Sequence, residues 1–264
     1  METSAVALVD EGLLRAIEDA SLNASAPPQQ RWIDGWLVRT SPGKAKRARC
    51  IQPVAAGFRA LSDRLATCDA VFREASLPTL FRITPFAEPA GLDDWLQAQG
   101  WHRFDETLVM VLPLARHESA PAWTGAPVQS AWVSPHAFAQ AVGALRGSSA
   151  SEIDAHAQRL SFSPVPVAGL VWRSPRGELL AAGQCTREQA IVGLYDIHVA
   201  ATARRQGLGS ALCSALLAHA AAQGARCAYL QVDGTNHTAQ SVYRRLGFVD
   251  ASRYHYRSKE VGAD

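Results

Sequence analysis

The chain has 264 residues, room for two domains of about 100–150 residues each. Hydrophobic residues make up 48% of it, enough for real cores, and 26 Lys and Arg against 24 Asp and Glu leave a formal charge of +2. That near-balance gives no electrostatic reason to expect nucleic acid or a membrane surface as partner. Five scattered cysteines without a C-x-x-C pair read as thiols of a reducing compartment.

The opening "METSAVALVDEGLLRAIEDA" places acids inside an amphipathic pattern, unlike a secretory signal. No apolar run approaches the ~20 residues of a membrane span. A cytoplasmic protein, monomer or homodimer, is expected.

Apolar spacing predicts a helix over 4–22 and a breaker at "ASAPPQQ" (24–30). Strands follow at 35–40 and 47–54, joined by "SPGKAK" as a hairpin. A helix is expected at 58–75, a strand at 79–84, a short helix at 91–100 ended by Gly100, and a strand-rich stretch at 101–114. Residues 1–116 form the expected first domain and "ARHESAPAWTGAP" (115–127) breaks the pattern, so that 117–127 read as a linker and 128–264 as the second domain. There, helices are expected at 136–147 and 151–160, strands at 167–173, 178–188 and 190–200, and a helix from the glycine loop to about Gln223. A strand (227–233), a short helix (238–247) and a last strand (248–258) complete the chain. The two halves end alike, each with a strand, a short amphipathic helix, a glycine and an aromatic opening another strand, which suggests duplication.

The stretch "RRQGLGSAL" (204–212) opens the longest helix of the second half. A helix N-terminus presents free N–H groups and partial positive charge, and glycines let a ligand approach the backbone. Arg204 and Arg205 add bidentate donors, so an anion such as a phosphate suits the place. A P-loop needs Lys-Ser or Lys-Thr after its last glycine, and Ser210-Ala211 stand there. The dinucleotide fingerprint needs a third glycine where Leu212 stands.

With its surroundings, the loop resembles the pyrophosphate loop Arg/Gln-x-x-Gly-x-Gly/Ala of the GCN5-related N-acetyltransferases, the GNAT family. The strand "GLYDIHV" (193–199) precedes it, and Asn236, Tyr243 and Gly247-Phe248 follow in the family's order, over roughly residues 128–258. The resemblance implies an α/β (α+β) fold of two tandem GNAT-like domains, each a mixed, mostly antiparallel sheet flanked by helices. It implies acetyl-CoA as the acyl donor and a primary amine of a small molecule or peptide as acceptor, acetylated by direct transfer. Metal is not expected. A non-catalytic acyl-CoA sensor and a protein N-acetyltransferase remain alternatives.

By this resemblance the pyrophosphate lies on the N–H groups of Gln206, Gly207, Leu208, Gly209 and Ser210, with Arg204 and Arg205 near its charge. Ile197, His198 and Val199 offer free backbone groups to the pantetheine arm, and Asn236 holds that arm. Tyr243 is the general acid that protonates the departing thiolate. Read without the family, Tyr243 is a packing aromatic and Asn236 a helix cap.

Asp196 and His198 share a strand face and are the base candidates, or else a structural acid and a sheet-buried imidazole. Glu152, Asp154 and His156 fall where the family walls its acceptor, or on a solvated helix face.

The first half lacks these parts. "PVAAGFRAL" has one glycine where the loop would be, and Leu96 stands opposite Tyr243, so this half is expected to be degenerate and without cofactor. Its hairpin "DGWLVRTSPGKAKRARC" looks like a feature of certain bacterial two-domain acetyltransferases. The cluster Lys44, Lys46, Arg47 and Arg49 is either a solvated turn or faces an acidic ligand, and the interface between halves is a common place for a pocket.

Overall fold

The structure, a computed structural model, describes residues 9–114, 123 and 125–259. Residues 4–8 of the expected first helix and most of the expected linker lie outside them. In chain order the elements are α1 (Glu11–Ala24), β1 (Gln30–Ile33), β2 (Trp36–Arg39), β3 (Ile51–Pro53), α2 (Leu61–Glu74), β4 (Phe81–Ile83), α3 (Leu92–Ala98) and β5 (His102–Pro113). Then come β6 (Gln129–Val133), α4 (Pro135–Arg146), α5 (Ala150–Ser161), β7 (Val167–Arg173), β8 (Leu179–Glu188), β9 (Ile191–Val199), α6 (Leu208–Ala222), β10 (Cys227–Asp233), α7 (His237–Arg245) and β11 (Val249–Ser258).

All eleven strands join one sheet in the order β1-β2-β3-β4-β11-β5-β10-β9-β8-β7-β6. The last strand of each half sits beside the other half: β11 pairs with β4, and β5 pairs with β10. These two strands also pair with each other, antiparallel, at the centre. Outward from that centre the pairings repeat on both sides. First comes an antiparallel step, then a parallel one (β4 with β3, β10 with β9), then antiparallel steps to the edges. The repetition is the physical counterpart of the similar endings in the sequence.

Side-chain alternation along β5 divides the core. Leu108, Met110 and Leu112 meet Leu212, Leu216 and Leu217 of α6, whereas Val109 and Val111 face Ile17 of α1. On the first face α2 and α3 also cover a stack in which Phe81 meets Trp36 and Trp101 edge-on at 5.2 and 5.1 Å. On the second face α4 packs through Phe138 and Val142 against Val171 and Ala182.

Two strands escaped the sequence reading. β1 and β6 are exposed edge strands, so no apolar alternation marks them. The turn of the β1–β2 hairpin is Asp34-Gly35, with Ile33 opposite Trp36 and positive φ at both turn residues, the geometry of a two-residue primed turn. The expected pair 35–40 and 47–54 is observed as β2 against β3, shorter and with a longer connection.

Candidate active site

β9 and β10 run parallel and in register from Ile191 opposite Cys227 to Leu194 opposite Leu230. Beyond Leu194 the pairing stops. Residues 195–199 stay on β8, while Gln231, Val232 and Asp233 continue along β5. The edge of Ile197, His198 and Val199 that would face β10 is thereby released from the ladder.

A bulge helps to shape this edge. Two residues, Asp196 and Ile197, oppose the single Gly183, and Asp196 adopts φ 54. A Cβ on Gly183 would come within 2.6 Å of Ile197 Cδ1 and 3.1 Å of Leu212 Cδ2, so the glycine makes room for Ile197 over the sheet. Asp196 and His198 then both turn toward α4 and α5, as the strand reading expected of their faces.

Next comes the glycine loop. Gly207, at φ 87, is the N-cap of α6, and Arg205 adopts φ 59. The N–H groups of residues 206–210 donate to no described residue, and they converge at the positive end of α6. Arg204 and Arg205 are exposed beside them, Arg204 leaning back so that its Nε donates to the Val199 carbonyl at 3.3 Å. A Cβ on Gly209 would meet only Val199 Cγ2 at 3.5 Å, ordinary contact. The fold therefore does not demand glycine at 209.

Tyr243 is half-buried on α7, edge-on to Phe248 at 6.1 Å, and packs against the core that α6 shares. Its hydroxyl has no hydrogen-bond partner among the described residues, and burial pushes its pKa up, so the phenol keeps its proton at neutral pH. Asn236 is the N-cap of α7, its Oδ1 accepting the Ala239 N–H at 3.0 Å. Capping occupies the oxygen of this exposed side chain and leaves its amide open.

The base candidates sit in a network. Gln184 Nε2 donates to Asp196 Oδ2 at 2.8 Å, Arg146 pairs with Oδ1, and His156 Nε2 stands 3.2 Å from Oδ2. Burial opposes the charge on Asp196, but His156, Arg146 and Arg159 prevail and hold its carboxyl well below the usual range. A carboxylate so satisfied orients its neighbours and is a poor proton acceptor. Burial, then Arg146, bring His198 down to about 4, and its Nε2 accepts from Arg146 Nε at 2.7 Å. Its accepting lone pair is therefore taken.

On this face a cavity of about 300 Å3 lies between the two halves. Gly43, Lys44, Ala45 and Arg47 of the first half form one wall and α4 and α5 the other, and Asp196 of β9 also lines it. The basic cluster of the first half is thus no freely solvated turn. Lys44 pairs with Glu152 at 3.1 Å, Lys46 with Asp105 at 3.0 Å, and Arg47 reaches Gln231 and lies 5.5 Å from the Tyr195 ring. Nor is α5 simply a solvated face. Glu152 closes a capping box with Ser149, and His156 is buried.

Arg146, Arg159 and Gln184 were missed from the sequence. A signal existed for Arg159, since Ile153, His156 and Arg159 recur at helical spacing on the buried side of α5. Among the described residues no cluster of His, Cys, Asp or Glu suits a metal, and no helix is long and apolar enough to cross a membrane.

Fold and loop together define an acyltransferase of the GNAT class. The chain belongs to this family, for residues 12–257 match the family described as "Probable histone acetyltransferase Rv0428c C-terminal". Over 238 residues it is 28% identical to the uncharacterized N-acetyltransferase YobR of Bacillus subtilis (strain 168), covering 87% of this chain and 92% of that one. Its fold is similar to a GCN5-related N-acetyltransferase from Kribbella flavida (TM-score 0.67, 19% identity, 96% and 98% of the two chains). It is also similar to a tandem GNAT protein from the clavulanic acid biosynthesis pathway (TM-score 0.63, 15% identity, 91% and 88%).

Proposed function

We propose that this chain moves the acetyl group of acetyl-CoA directly to a primary amine of a small molecule or peptide, using one site in its second half. The observation that carries the reading is the row of N–H groups at residues 206–210 with no partner among the described residues, set at the end of a strand whose edge is released at Ile197–Val199.

The donor supplies an activated thioester. Residues 206–210 bind its pyrophosphate through backbone N–H groups, with Arg204 and Arg205 adding charge. Ile197, His198 and Val199 align the pantetheine arm as an added strand, and a backbone N–H on this edge polarises the acetyl carbonyl. The open amide of Asn236 is assigned to the same arm.

Two proton movements complete the transfer as the C–N bond forms and the C–S bond breaks. Tyr243 gives its phenolic proton to the leaving sulfur. The amine must lose a proton, and His156 is placed to take it. His156 lines the cavity with its Nε2 3.2 Å from Asp196 Oδ2, and an imidazole is a suitable proton acceptor there. Asp196 thus acts through His156 as a positioning residue.

The test is thiol release from acetyl-CoA by the full chain against a panel of amines, amino acids and peptides, with calorimetry for donor binding. Donor binding at one site with amine-dependent thiol release supports the reading. Binding without release to any acceptor points to an acyl-CoA sensor instead.

A further inference from the structure

The cavity between the halves has an unbalanced interior. Lys44, Arg47, Arg146 and Arg159 line it against two carboxylates, Glu152 and Asp196, leaving two positive charges in excess. Three of the cations are engaged, Lys44 with Glu152, Arg146 with Asp196, and Arg47 with Gln231. Arg159 is not. Only 9% exposed, it makes no hydrogen bond or ion pair with any described residue, and Asp196 acts on it from beyond ion-pair distance. Burial pulls its pKa down, and the nearby Arg47 and Arg146 add to that.

The Arg159 guanidinium thus faces the cavity with no protein anion paired to it, and a ligand that supplies the missing anion offsets the cost of drying that charge as it enters. Arginine presents a planar fork that matches the two oxygens of a carboxylate or phosphate. We infer that the acceptor is a small amine bearing an oxyacid group, carboxylate or phosphate, which pairs with Arg159 inside the cavity between the halves. The inference rests on the acetyl-transfer reading above.

Charge then sorts acceptors. A lysine-rich peptide brings only positive charge to a positive cavity and is repelled. An amine that carries its own anion enters neutral or net negative. Once its anion is held by Arg159, the surrounding cations favour the uncharged form of its amino group, the form that attacks.

The experiment compares the full chain with Arg159→Met. Thiol release is measured with β-alanine, glutamate and O-phosphoethanolamine, with the matched β-alanine amide and ethanolamine, and with a lysine-rich peptide. Calorimetry titrates the same probes in the presence of coenzyme A. Wild type is expected to favour an oxyacid-bearing amine at least 100-fold in kcat/KM over its matched partner, and the carboxylate and phosphate probes show which oxyacid fits.

Arg159→Met is expected to lose that preference while the KM for acetyl-CoA and the melting temperature hold, since an unpaired charge is removed. Arg159→Lys keeps the charge without the fork and falls between the two, which preserves the comparison should Arg159→Met fold poorly. Equal use of amide and acid, preference for the peptide, or oxyacid binding unchanged in both variants overturns the inference, as does failure of every oxyacid probe to bind. If no amine is acetylated, the reaction reading fails by itself, and calorimetry still decides the anion site.

Discussion

Asp34 places its carboxylate 2.9 Å from the backbone N–H of Arg59, and the same group accepts the Phe58 N–H at 3.0 Å. These donors lie just ahead of α2, the first-half counterpart of α6. The first half thus holds an anion of its own where the N–H groups of the second half meet no partner among the described residues. Arg64 Nε, 3.3 Å away, completes the pairing. A Cβ on Gly57 would run 2.3 Å from the Asp34 carbonyl, so the loop is closed by packing as well. The Arg59 N–H, then the Phe58 N–H, hold the Asp34 carboxyl below its ordinary range. Asp34→Ala is therefore expected to lower the melting temperature, while calorimetry still counts one coenzyme A per chain. A count of two would show that the carboxylate alone keeps the first half from binding.

Gly209 separates the needs of the fold from those of the ligand. An alanine there meets only ordinary contact with Val199 and, in the first turn of α6, gains up to about 1 kcal/mol in helix propensity. Its methyl group also stands among the N–H groups assigned to the pyrophosphate. Gly209→Ala is expected to melt no lower than wild type and to bind coenzyme A at least tenfold more weakly by calorimetry. Unchanged affinity would remove residues 206–210 from the donor site.

The Tyr243 hydroxyl has no partner among the described residues, so its removal costs the fold little. Tyr243→Phe keeps the ring on Phe248 and is expected to lower kcat about 100-fold with the KM for acetyl-CoA nearly unchanged, the signature of a lost transition-state interaction. Steady-state kinetics with any competent amine checks this. An unaltered kcat would return Tyr243 to packing.

The second half was legible where its signals are local. The loop, Asn236, Tyr243 and the strand at 193–199 all lie between residues 193 and 243, and helix and strand periods carry through this region. The exchange of β5 and β11 was not legible, because both strands have the same apolar alternation whichever half they join, and only tertiary packing chooses. The cavity was legible in pieces. Residues 43–47, Arg146, Arg159 and Asp196 are far apart in the chain, and the charge excess exists only once they meet. Asp34-Gly35 was a readable turn signal that the polar strand before it concealed.

His198 gives the stability a pH dependence with a definite sign. Its folded pKa of about 4 lies under the ordinary 6.5, so the unfolded chain binds a proton more readily than the folded one between these values. Its contribution is complete above pH 6.5 and declines as pH falls toward 4. Thermal melts from pH 7.5 to 4 are expected to show the midpoint dropping across that window, less steeply in His198→Gln. Equal slopes would mean that the ring is protonated in the folded protein despite Arg146.

Arg82 is fully buried on β4, where Glu18 of α1 grips it with both carboxylate oxygens and the Tyr254 ring lies 3.9 Å away. The contact ties α1 to β4 and, through Tyr254, to β11, the strand exchanged from the second half. Glu18→Ala leaves the guanidinium buried and uncompensated, a change expected to cost ~3 kcal/mol and to lower the melting temperature by roughly 6–12 °C. Arg82→Met alone is expected to cost less, because Glu18 can reach water at the rim of the contact. The double variant Glu18→Leu, Arg82→Met removes both charges and replaces them with apolar bulk, and is expected to recover most of the loss. Melting of all three, with donor affinity measured in parallel, separates the burial of a lone charge from the value of the pair. A double variant as unstable as Glu18→Ala would show that the pair itself holds α1 on the sheet.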